Sequence, residues 1–419
     1  MLVNFTVSNF RSFKESQTLS MEATAIKELN EYVIPKDKYR LLPSAVIYGA
    51  NSSGKSNLLK ALLVMQKVVL ESVKLNPDDL IVGYEPFVLS EESISEPTSF
   101  EIQFLINSVK YRYGFDFDAS SIKAEWLYEK KVGEREYNLF LRADTEIQYS
   151  KKRFLEGLKI KNLSVEKNRL LLSLAAQLSE PVSQGIMKWF KMCNVISGIE
   201  GTGYENFTIK MLKEHIVGYD EAMSFLRNMK LGFDNIEIEE SDFNQEVLSD
   251  KMPQEMKDQL TKTLSGKKIL SVKTVHKIYD KENKVVGTKS FNKDRMESEG
   301  SKKLIEMSGP IFDTLLNNKV LIVDELDAKL HPVLTRELVK VFNSQSRGAQ
   351  LIFATHDTNL LNINLFRRDQ IWLTEKNEAE ATELYSLVEF KESEGKKVRK
   401  DSSLEKDYMK GRYGAIPYI

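Results

Sequence analysis

Residues 49–56 (GANSSGKS) have the types and the spacing that a phosphate-binding loop needs. They fit the pattern Gly-x-x-x-x-Gly-Lys-[Ser/Thr] at each constrained position. Glycines let successive backbone N–H groups turn toward one anion, and a helix that follows adds the positive end of its dipole. Lys55 would reach the β and γ phosphates, and Ser56 would hold magnesium. The candidate nucleotide-binding residues are Gly49, Ala50, Asn51, Ser52, Ser53, Gly54, Lys55, Ser56 and Asn57.

The flanks of this loop support the prediction. Residues 45–48 (AVIY) predict a short buried strand, and residues 57–70 (NLLKALLVMQKVVL) predict an apolar helix. Strand, glycine loop and helix therefore follow one another in the order that a nucleotide-binding loop requires. The alternative, a glycine-rich turn without a ligand, does not need this flanking pair.

A second run, residues 319–325 (KVLIVDE), is apolar and ends in two carboxylates. It predicts a buried parallel strand that delivers Asp324 and Glu325 to the carboxyl edge of a sheet. The first carboxylate would help to fix a metal ion, and the second would act as the general base that activates water. Taken alone, the run also suits a core strand that ends in solvated acids.

The residues that follow give the pattern a family resemblance. Residues 326–332 (LDAKLHP) come next, and residues 350–357 (QLIFATHD) predict another strand, which ends at a histidine. In this order the elements resemble the ATP-binding-cassette ATPase heads of SMC, RecF and OLD-type proteins. The resemblance implies that Asp327 lies in a loop that signals across a dimer interface. It also implies that His356 contacts the γ phosphate, although a lone histidine is more often a satisfied surface or core residue.

The same resemblance predicts a signature that opens a helix before the strand of the paired acids. Residues 296–304 (MESEGSKKL) occupy that place, with Ser298, Gly300 and Ser301 as the candidate contacts at the start of a helix over 302–316. Glu299 departs from the family pattern, where many relatives carry Gly or Ser, so an ordinary helix cap is the alternative. In the family, this signature completes the nucleotide site of the opposite subunit. ATP would then hold two heads together.

The first residues also resemble the opening strand of RecF and SMC heads. Residues 2–14 (LVNFTVSNFRSFK) alternate as a strand and then turn. The resemblance places Arg11 and Ser12 near the nucleotide, and a plain edge strand with a polar turn is the alternative. The glutamine loop of these ATPases is not located, because Gln103 lies on a predicted strand.

These elements predict an α/β fold, a P-loop NTPase head of the ABC type with an antiparallel β subdomain and an inserted helical lobe. The predicted domains are 1–150 for the first half of the head, 151–265 for the helical insertion and 266–419 for the second half. Predicted hairpins cover 99–118 and 271–291, further strand pieces lie in 122–141, and predicted helices cover 164–178, 181–192 and 219–229.

Composition limits the class of protein. The 60 basic and 61 acidic residues of the 419 give a net charge of -1, which does not indicate a strongly basic nucleic-acid-binding body. Residues 151–153 form a local basic cluster with Lys159 and Lys161. This cluster would bind a nucleic acid or a partner protein, or it is a solvated helix surface. The single Cys193 excludes an internal disulfide and suits a reducing compartment. With no signal peptide and no long apolar run, we expect a soluble cytoplasmic protein without a membrane partner.

The last residues narrow the resemblance. Residues 408–417 (YMKGRYGAIP) are similar to the tail of compact bacterial ATPases of the RloA-like or abortive-infection group, of AAA_15 or AAA_21 type. Members of that group are associated with phage defence and are often encoded beside an effector, an RloB-like protein or a TOPRIM-type nuclease. Arg412 would contact a phosphate or a neighbouring subunit, or it is simply exposed.

Three functions follow from these observations. The first is an ATPase that uses ATP and Mg²⁺ to assemble as a homodimer or higher homo-oligomer and to control a defence effector. The second is a RecF-like or SMC-like repair ATPase that binds DNA in its ATP-bound dimer. The third, a nuclease under ATP control, is the weakest, because the chain ends soon after His356 and leaves little room for a TOPRIM domain.

Overall fold

The computed structural model describes residues 1–155, 157, 159, 165–178, 181–199, 204–243, 252–266, 268–391, 398 and 403–416. The strands are β1 (Leu2–Ser8), β2 (Gln17–Ser20), β3 (Ile34–Lys36), β4 (Tyr39–Leu41), β5 (Ser44–Gly49), β6 (Thr98–Ile106), β7 (Val109–Phe117), β8 (Ile122–Lys130), β9 (Tyr137–Ala143), β10 (Glu146–Tyr149), β11 (Cys193–Ser197), β12 (Asn235–Asp242), β13 (Lys268–Tyr279), β14 (Val285–Asn292), β15 (Val320–Asp324), β16 (Gln350–Ala354), β17 (Ile371–Lys376) and β18 (Thr382–Ser386). The α-helices are α1 (Lys55–Glu71), α2 (Leu171–Gln177), α3 (Pro181–Lys191), α4 (Glu205–Glu214), α5 (Tyr219–Asn228), α6 (Gln254–Leu264), α7 (Lys293–Met296), α8 (Glu299–Asn317), α9 (Pro332–Gln345) and α10 (Leu404–Met409).

A six-stranded sheet carries the predicted chemistry. Its strand order is β11-β15-β16-β5-β17-β18, and all neighbours are parallel except the antiparallel pair β17 and β18. Strands β5 and β16 are buried along their whole length, as expected for parallel strands covered on both faces. The carboxyl ends of the parallel strands meet at one edge, where ligands of open α/β sheets bind. The predicted α/β fold class is confirmed.

A seven-stranded antiparallel sheet forms the second layer, in the order β10-β9-β8-β7-β6-β1-β2. The hairpin of β6 and β7 turns at Asn107 and Ser108, whose φ angles of 46° and 66° suit a tight two-residue turn. Alternate residues of β6 are buried, so one face of this sheet is apolar. This hairpin is the one that the alternation over 99–118 predicts.

Helix α1 packs into the core that these two layers share. It buries one apolar face, including Leu58 and Met65, in a cluster that also holds residues of both sheets. The ring of Trp189 on α3 stacks on Phe104 of β6 with centroids 4.1 Å apart. Burial on this scale stabilises each large side chain by roughly 1.5–3 kcal/mol. The helix that follows the glycine loop is therefore fixed from both sides.

Some elements differ from the sequence-based prediction. The helix predicted over 164–178 is observed only as α2, with a turn before Leu171, and residue 164 lies outside the described residues. Strands β11 and β12 lie in a segment for which only helices are predicted. Strand β11 has only five residues and directly follows α3. A prediction from hydrophobic periodicity therefore extends the helix over these residues. The helical segment therefore contributes a strand to the central sheet.

The chain forms two compact units. The first comprises Met1–Ile199, Asn317–Ala328 and Thr335–Ile419, and the second comprises Glu200–Leu316 and Lys329–Leu334. The second unit contains the antiparallel sheet β12-β13-β14. Its interior includes Lys293, whose ammonium lies 2.8 Å from Glu205 and 2.9 Å from Glu306. The domain boundaries at 150 and 265 stay a prediction.

Within the described part of the chain, no helix has the length and apolar character needed to cross a membrane.

Candidate nucleotide-binding site

The predicted phosphate loop connects β5 to α1. Ser52 adopts a left-handed conformation with φ 63°, and Gly54, directly before the helix, has φ 114°. A Cβ on Gly54 would overlap the side chain of Thr382. Only glycine satisfies both the backbone angle and the space at this position. Helix α1 starts directly after Gly54, and Lys55 is its first residue.

Lys55 folds back over the loop that it ends. Its ammonium donates to the carbonyl oxygens of Gly49 at 2.8 Å and Ala50 at 3.0 Å. Burial lowers the pKa of Lys55 to about 8. The carboxylates of Asp324, Glu325 and Asp327 oppose this shift, and that of Asp324 has the largest effect of the three. The lysine of the glycine loop and the paired acids predicted from distant parts of the sequence therefore lie within electrostatic reach of one another.

Two threonines support the loop from the neighbouring strands. The hydroxyl of Thr382 lies 2.8 Å from the carbonyl oxygen of Ser53, which accepts its hydrogen bond. The hydroxyl of Ser53 lies 2.6 Å from that of Thr374. Neither threonine was predicted. They belong to the last strands of the chain and match no motif, so only the sheet register could reveal them.

Arg11 and Ser12 lie beside the first turn of α1. The guanidinium of Arg11 donates to the Asn57 side chain at 3.2 Å and pairs with Glu85 at 2.6 Å. The amide of Asn57 donates to the Ser12 hydroxyl at 2.8 Å. The Nε of Arg11 is buried without a hydrogen-bond partner among the described residues. The structure thus brings these secondary candidates together with Asn57 next to the loop.

The paired acids stand at the carboxyl end of β15, two strands away from β5. Asp324 keeps one buried oxygen, Oδ1, without a hydrogen-bond partner among the described residues, and the same holds for Oδ1 of Asp327. Glu325 adopts a left-handed conformation with φ 55°. Such a backbone is strained for a residue with a side chain and is frequent at functional sites. Its carbonyl oxygen accepts from the N–H of Ala328 at 3.1 Å, which closes a turn.

His356 follows β16, the strand between the paired acids and the glycine loop. Partial burial and then the charge of Lys55 lower the pKa of His356. Its imidazole is therefore mainly neutral at pH 7, with one N–H to donate.

Asp357 is a residue that sequence reasoning missed. Its Oδ2 is buried without a partner among the described residues, and its carbonyl oxygen accepts from the Tyr48 hydroxyl at 3.1 Å. The ring of Tyr48 lies 5.8 Å from that of Tyr408 on α10. Its position directly after His356 was the available signal. These contacts connect the loop of His356 to the last strand residues before the phosphate loop.

The predicted signature opens α8 in the second unit. The hydroxyl of Ser298 accepts from the Ser301 N–H at 3.2 Å, which is the contact of a helix cap. A Cβ on Gly300 would lie 3.1 Å from the carbonyl oxygen of Lys329. Glu299 pairs with Lys302 at 2.9 Å. Ser298 is exposed, and its hydroxyl also lies 3.0 Å from that of Ser301.

Two of the remaining basic candidates, Arg412 and Arg153, form ion pairs. Arg412 pairs with Asp407 at 3.0 Å, and Arg153 pairs with Glu129 at 3.0 Å and with Glu134 at 2.8 Å. Lys161 of the predicted basic cluster lies outside the described residues.

Across the described ranges, no group of three or more His, Cys, Asp or Glu side chains is placed to hold a metal ion.

Solved SMC heads resemble the chain at low sequence identity. An SMC head bound to the C-winged helix domain of ScpA has 12% identity and a TM-score of 0.44, covering 92% of this chain and 97% of that chain. The SMC head domain from Thermotoga maritima has 12% identity and a TM-score of 0.41, covering 92% and 98%. An SMC head with an extended coiled coil, bound to the C-terminal domain of ScpA derived from Pyrococcus furiosus, has 10% identity and a TM-score of 0.36, covering 92% and 96%. No curated protein sequence matches.

A family model matches most of the chain. Its description is AAA domain, putative AbiEii toxin, Type IV TA system, and it matches residues 44–178 and 218–362. The matched segments include the glycine loop, the paired acids and His356. They are the same elements that the structure brings to one sheet edge. The chain therefore belongs to this AAA_21 family of P-loop ATPases, as its sequence motifs predict.

Proposed function

We propose that this chain binds ATP with Mg²⁺ at residues 49–57 and hydrolyses it. One observation carries the proposal: the glycine loop after β5, the paired acids after β15 and His356 after β16 lie at the carboxyl edge of one parallel sheet. A triphosphate held by the loop would present its terminal phosphate to those acids. Positioning and electrostatic stabilisation are what phosphoryl transfer requires from a protein.

The loop and Lys55 bind the phosphates. Backbone N–H groups of the loop and the N-terminus of the 17-residue helix α1 favour anionic oxygens. Lys55 exchanges its contacts with the carbonyl oxygens of Gly49 and Ala50 for contacts with the β and γ phosphates. This exchange keeps the ammonium partnered in both states.

Asp324 and Ser56 are the proposed metal ligands. Mg²⁺ prefers oxygen ligands, and the partner-free Oδ1 of Asp324 together with the exposed hydroxyl of Ser56 fits that preference. When bound, the ion would neutralise charge on the phosphate oxygens. The two residues come from β15 and α1, so only the folded sheet brings them to one edge.

Glu325 is the proposed general base and His356 the proposed contact to the γ phosphate. The carboxylate of Glu325 accepts a proton from the attacking water. The neutral imidazole of His356 donates a hydrogen bond to a phosphate oxygen. Asp327, two residues after Glu325, would transmit the nucleotide state of the site to a neighbouring subunit.

The signature supports a homodimer or a higher homo-oligomer. Ser298, Gly300 and Ser301 stand at the start of a 19-residue helix, where backbone donors and the helix dipole favour an anion. We propose that they contact the nucleotide of a second copy. ATP binding would then assemble the heads, and hydrolysis would release them.

We further propose that this assembly controls an effector in a bacterial anti-phage defence complex of the abortive-infection type in the cytoplasm. The family description names a toxin and a toxin–antitoxin system, which supports a role in growth arrest. The effector would be a second protein encoded nearby, RloB-like or a TOPRIM-type nuclease. If the complex binds nucleic acid, the effector would be the subunit that binds it.

The test uses the Glu325→Gln variant, co-expressed with the neighbouring genes of its operon. We expect the rate of ATP hydrolysis to fall a hundredfold or more, the usual effect of losing a general base. Light scattering after size exclusion should show an ATP-dependent increase in mass and a second protein. Glu378→Gln, at an exposed position of the β17–β18 turn, is the matched control.

Three outcomes would contradict parts of the proposal. Normal hydrolysis by Glu325→Gln removes Glu325 from the base role. A mass that does not respond to ATP removes the dimer. A protein that purifies alone and binds duplex DNA only with ATP assigns it to the repair ATPases instead.

A further inference from the structure

Gly198 lies against the backbone of the paired acids. It follows β11, which pairs with β15 in parallel from Cys193 and Val320 to Ser197 and Asp324. The N–H of Gly198 donates to the carbonyl oxygen of Asp324 at 2.6 Å. This is a backbone contact, so any residue except proline could make it. A side chain at position 198, however, would have no room.

The lack of room comes from the main chain of the paired acids, and Glu325 is the nearer of the two. A Cβ built on Gly198 would overlap the carbonyl oxygen of Glu325 and would lie 2.5 Å from its carbonyl carbon and 2.6 Å from the oxygen of Asp324. Real Cβ atoms essentially never come within 3.0 Å of another heavy atom. The obstructing atoms belong to the main chain, which cannot rotate away as the end of a side chain can.

The backbone of Glu325 has a special conformation that this space permits. With φ 55° it leaves the ordinary extended path of β15 and turns its carbonyl oxygen toward β11. The next residue, Leu326, is tied to β16, because its N–H donates to the Ala354 carbonyl oxygen at 3.1 Å. Glu325 is thus held from both neighbouring strands. Its side-chain direction depends on this turn.

We propose that Gly198 is a positioning residue for Glu325, required for hydrolysis and dispensable for nucleotide binding. The inference rests on the proposed role of Glu325 as the base. Because residue 198 has no side chain, the main chain of Glu325 can adopt its left-handed conformation beside it. The phosphate loop has its own supports, Thr374 and Thr382, on other strands.

The experiment compares Gly198→Ala with Gly185→Ala in the full chain. Gly185 lies in helix α3, and a Cβ there would meet no atom within 4 Å. We expect Gly198→Ala to lower kcat for ATP hydrolysis about tenfold to a hundredfold, because small displacements of a catalytic group have such effects. The Kd for ATP should stay within about threefold of wild type. Gly185→Ala should change neither quantity.

A double-variant measurement separates positioning from a general packing defect. In the Glu325→Gln background, Gly198→Ala should lower the residual rate less than about twofold, because residues that act through one group are not additive. A full additional loss in that background would overturn the proposal. So would an unchanged kcat in Gly198→Ala, or equal losses of kcat and ATP affinity.

A gentler variant keeps the proposal testable if Gly198→Ala does not fold. The hydroxyl of Ser197 accepts from the Ile199 N–H at 3.1 Å and so shapes the turn at Gly198. Ser197→Ala should lower kcat about threefold with an unchanged Kd for ATP, and an unchanged kcat contradicts the proposal. If Glu325→Gln is inactive while the variants at 197 and 198 are normal, only this inference fails.

Discussion

The phosphate loop and the signature differ in how the fold holds them. Ser53, Gly54 and Lys55 of the loop are buried. The loop and the first turn of α1 receive contacts from Ser12, Thr374 and Thr382, which are far apart in sequence. In the signature, Ser298 and Glu299 are exposed and Ser301 is buried. Ser298 contacts Ser301, and Glu299 pairs with Lys302 nearby and with Lys329 at 3.4 Å. The loop thus depends on contacts across the first unit, whereas the signature is held by residues of the second unit. Substitutions should therefore act on the loop through binding and on the signature through association and helix stability.

Loss of the loop lysine should have the largest effect. Lys55→Ala removes charge-assisted hydrogen bonds to phosphate, each of about 1.5–3 kcal/mol. We expect the affinity for ATP to fall on the order of a hundredfold, measured by titration calorimetry. The exposed Lys60 on the same helix provides the control Lys60→Ala. Equal affinities of the two variants would mean that the loop does not bind phosphate through Lys55.

A negative charge in the signature should affect association and leave binding alone. Ser298→Asp keeps a capping side chain but places a carboxylate where a phosphate of the other copy is expected. We expect roughly thirtyfold weaker ATP-dependent dimerisation, about 2 kcal/mol of like-charge repulsion. Ser298→Asn, which caps without charge, is the control in the same sedimentation experiment. If both variants dimerise equally, the signature does not face a nucleotide.

The pH dependence of binding should reveal the buried state of Lys55. Its pKa of about 8 in the nucleotide-free protein lies below the ordinary 10.5, and phosphate contacts favour the charged form and raise it. Binding therefore takes up a proton above pH 8, and affinity falls as the pH rises. Between pH 7 and pH 9 the loss should be about tenfold. Calorimetry in two buffers of different ionisation enthalpy would detect the proton, and a pH-independent affinity would contradict the assignment.

The cap of α8 should have the smallest effect. Ser298→Ala removes the acceptor for the Ser301 N–H, which costs about 1 kcal/mol of stability. Chemical unfolding should show this loss for Ser298→Ala and not for Ser298→Asn. Unchanged stability of Ser298→Ala would show that the cap does not hold this helix.

The sequence indicates the proposed catalytic groups through motifs, but it does not indicate the groups that support them. Lys55, Glu325 and His356 lie in contiguous motifs whose spacing is fixed by the phosphates. Thr382 and Gly198 matter through contacts between strands that are far apart in the chain, and no local pattern encodes such a register. Strand β11 was not predicted, because it is short, directly follows α3 and pairs with a strand more than a hundred residues later.

The division into two units has a consequence for optical spectroscopy. All three tryptophans, Trp126, Trp189 and Trp372, belong to the first unit. A melting curve followed by tryptophan emission would therefore report the first unit and be silent about the second. Replacing Phe225, which packs against Phe312 in the second unit, by tryptophan would give that unit its own signal. The difference between the emission curves of this variant and of the native chain would then show whether the second unit melts before the first.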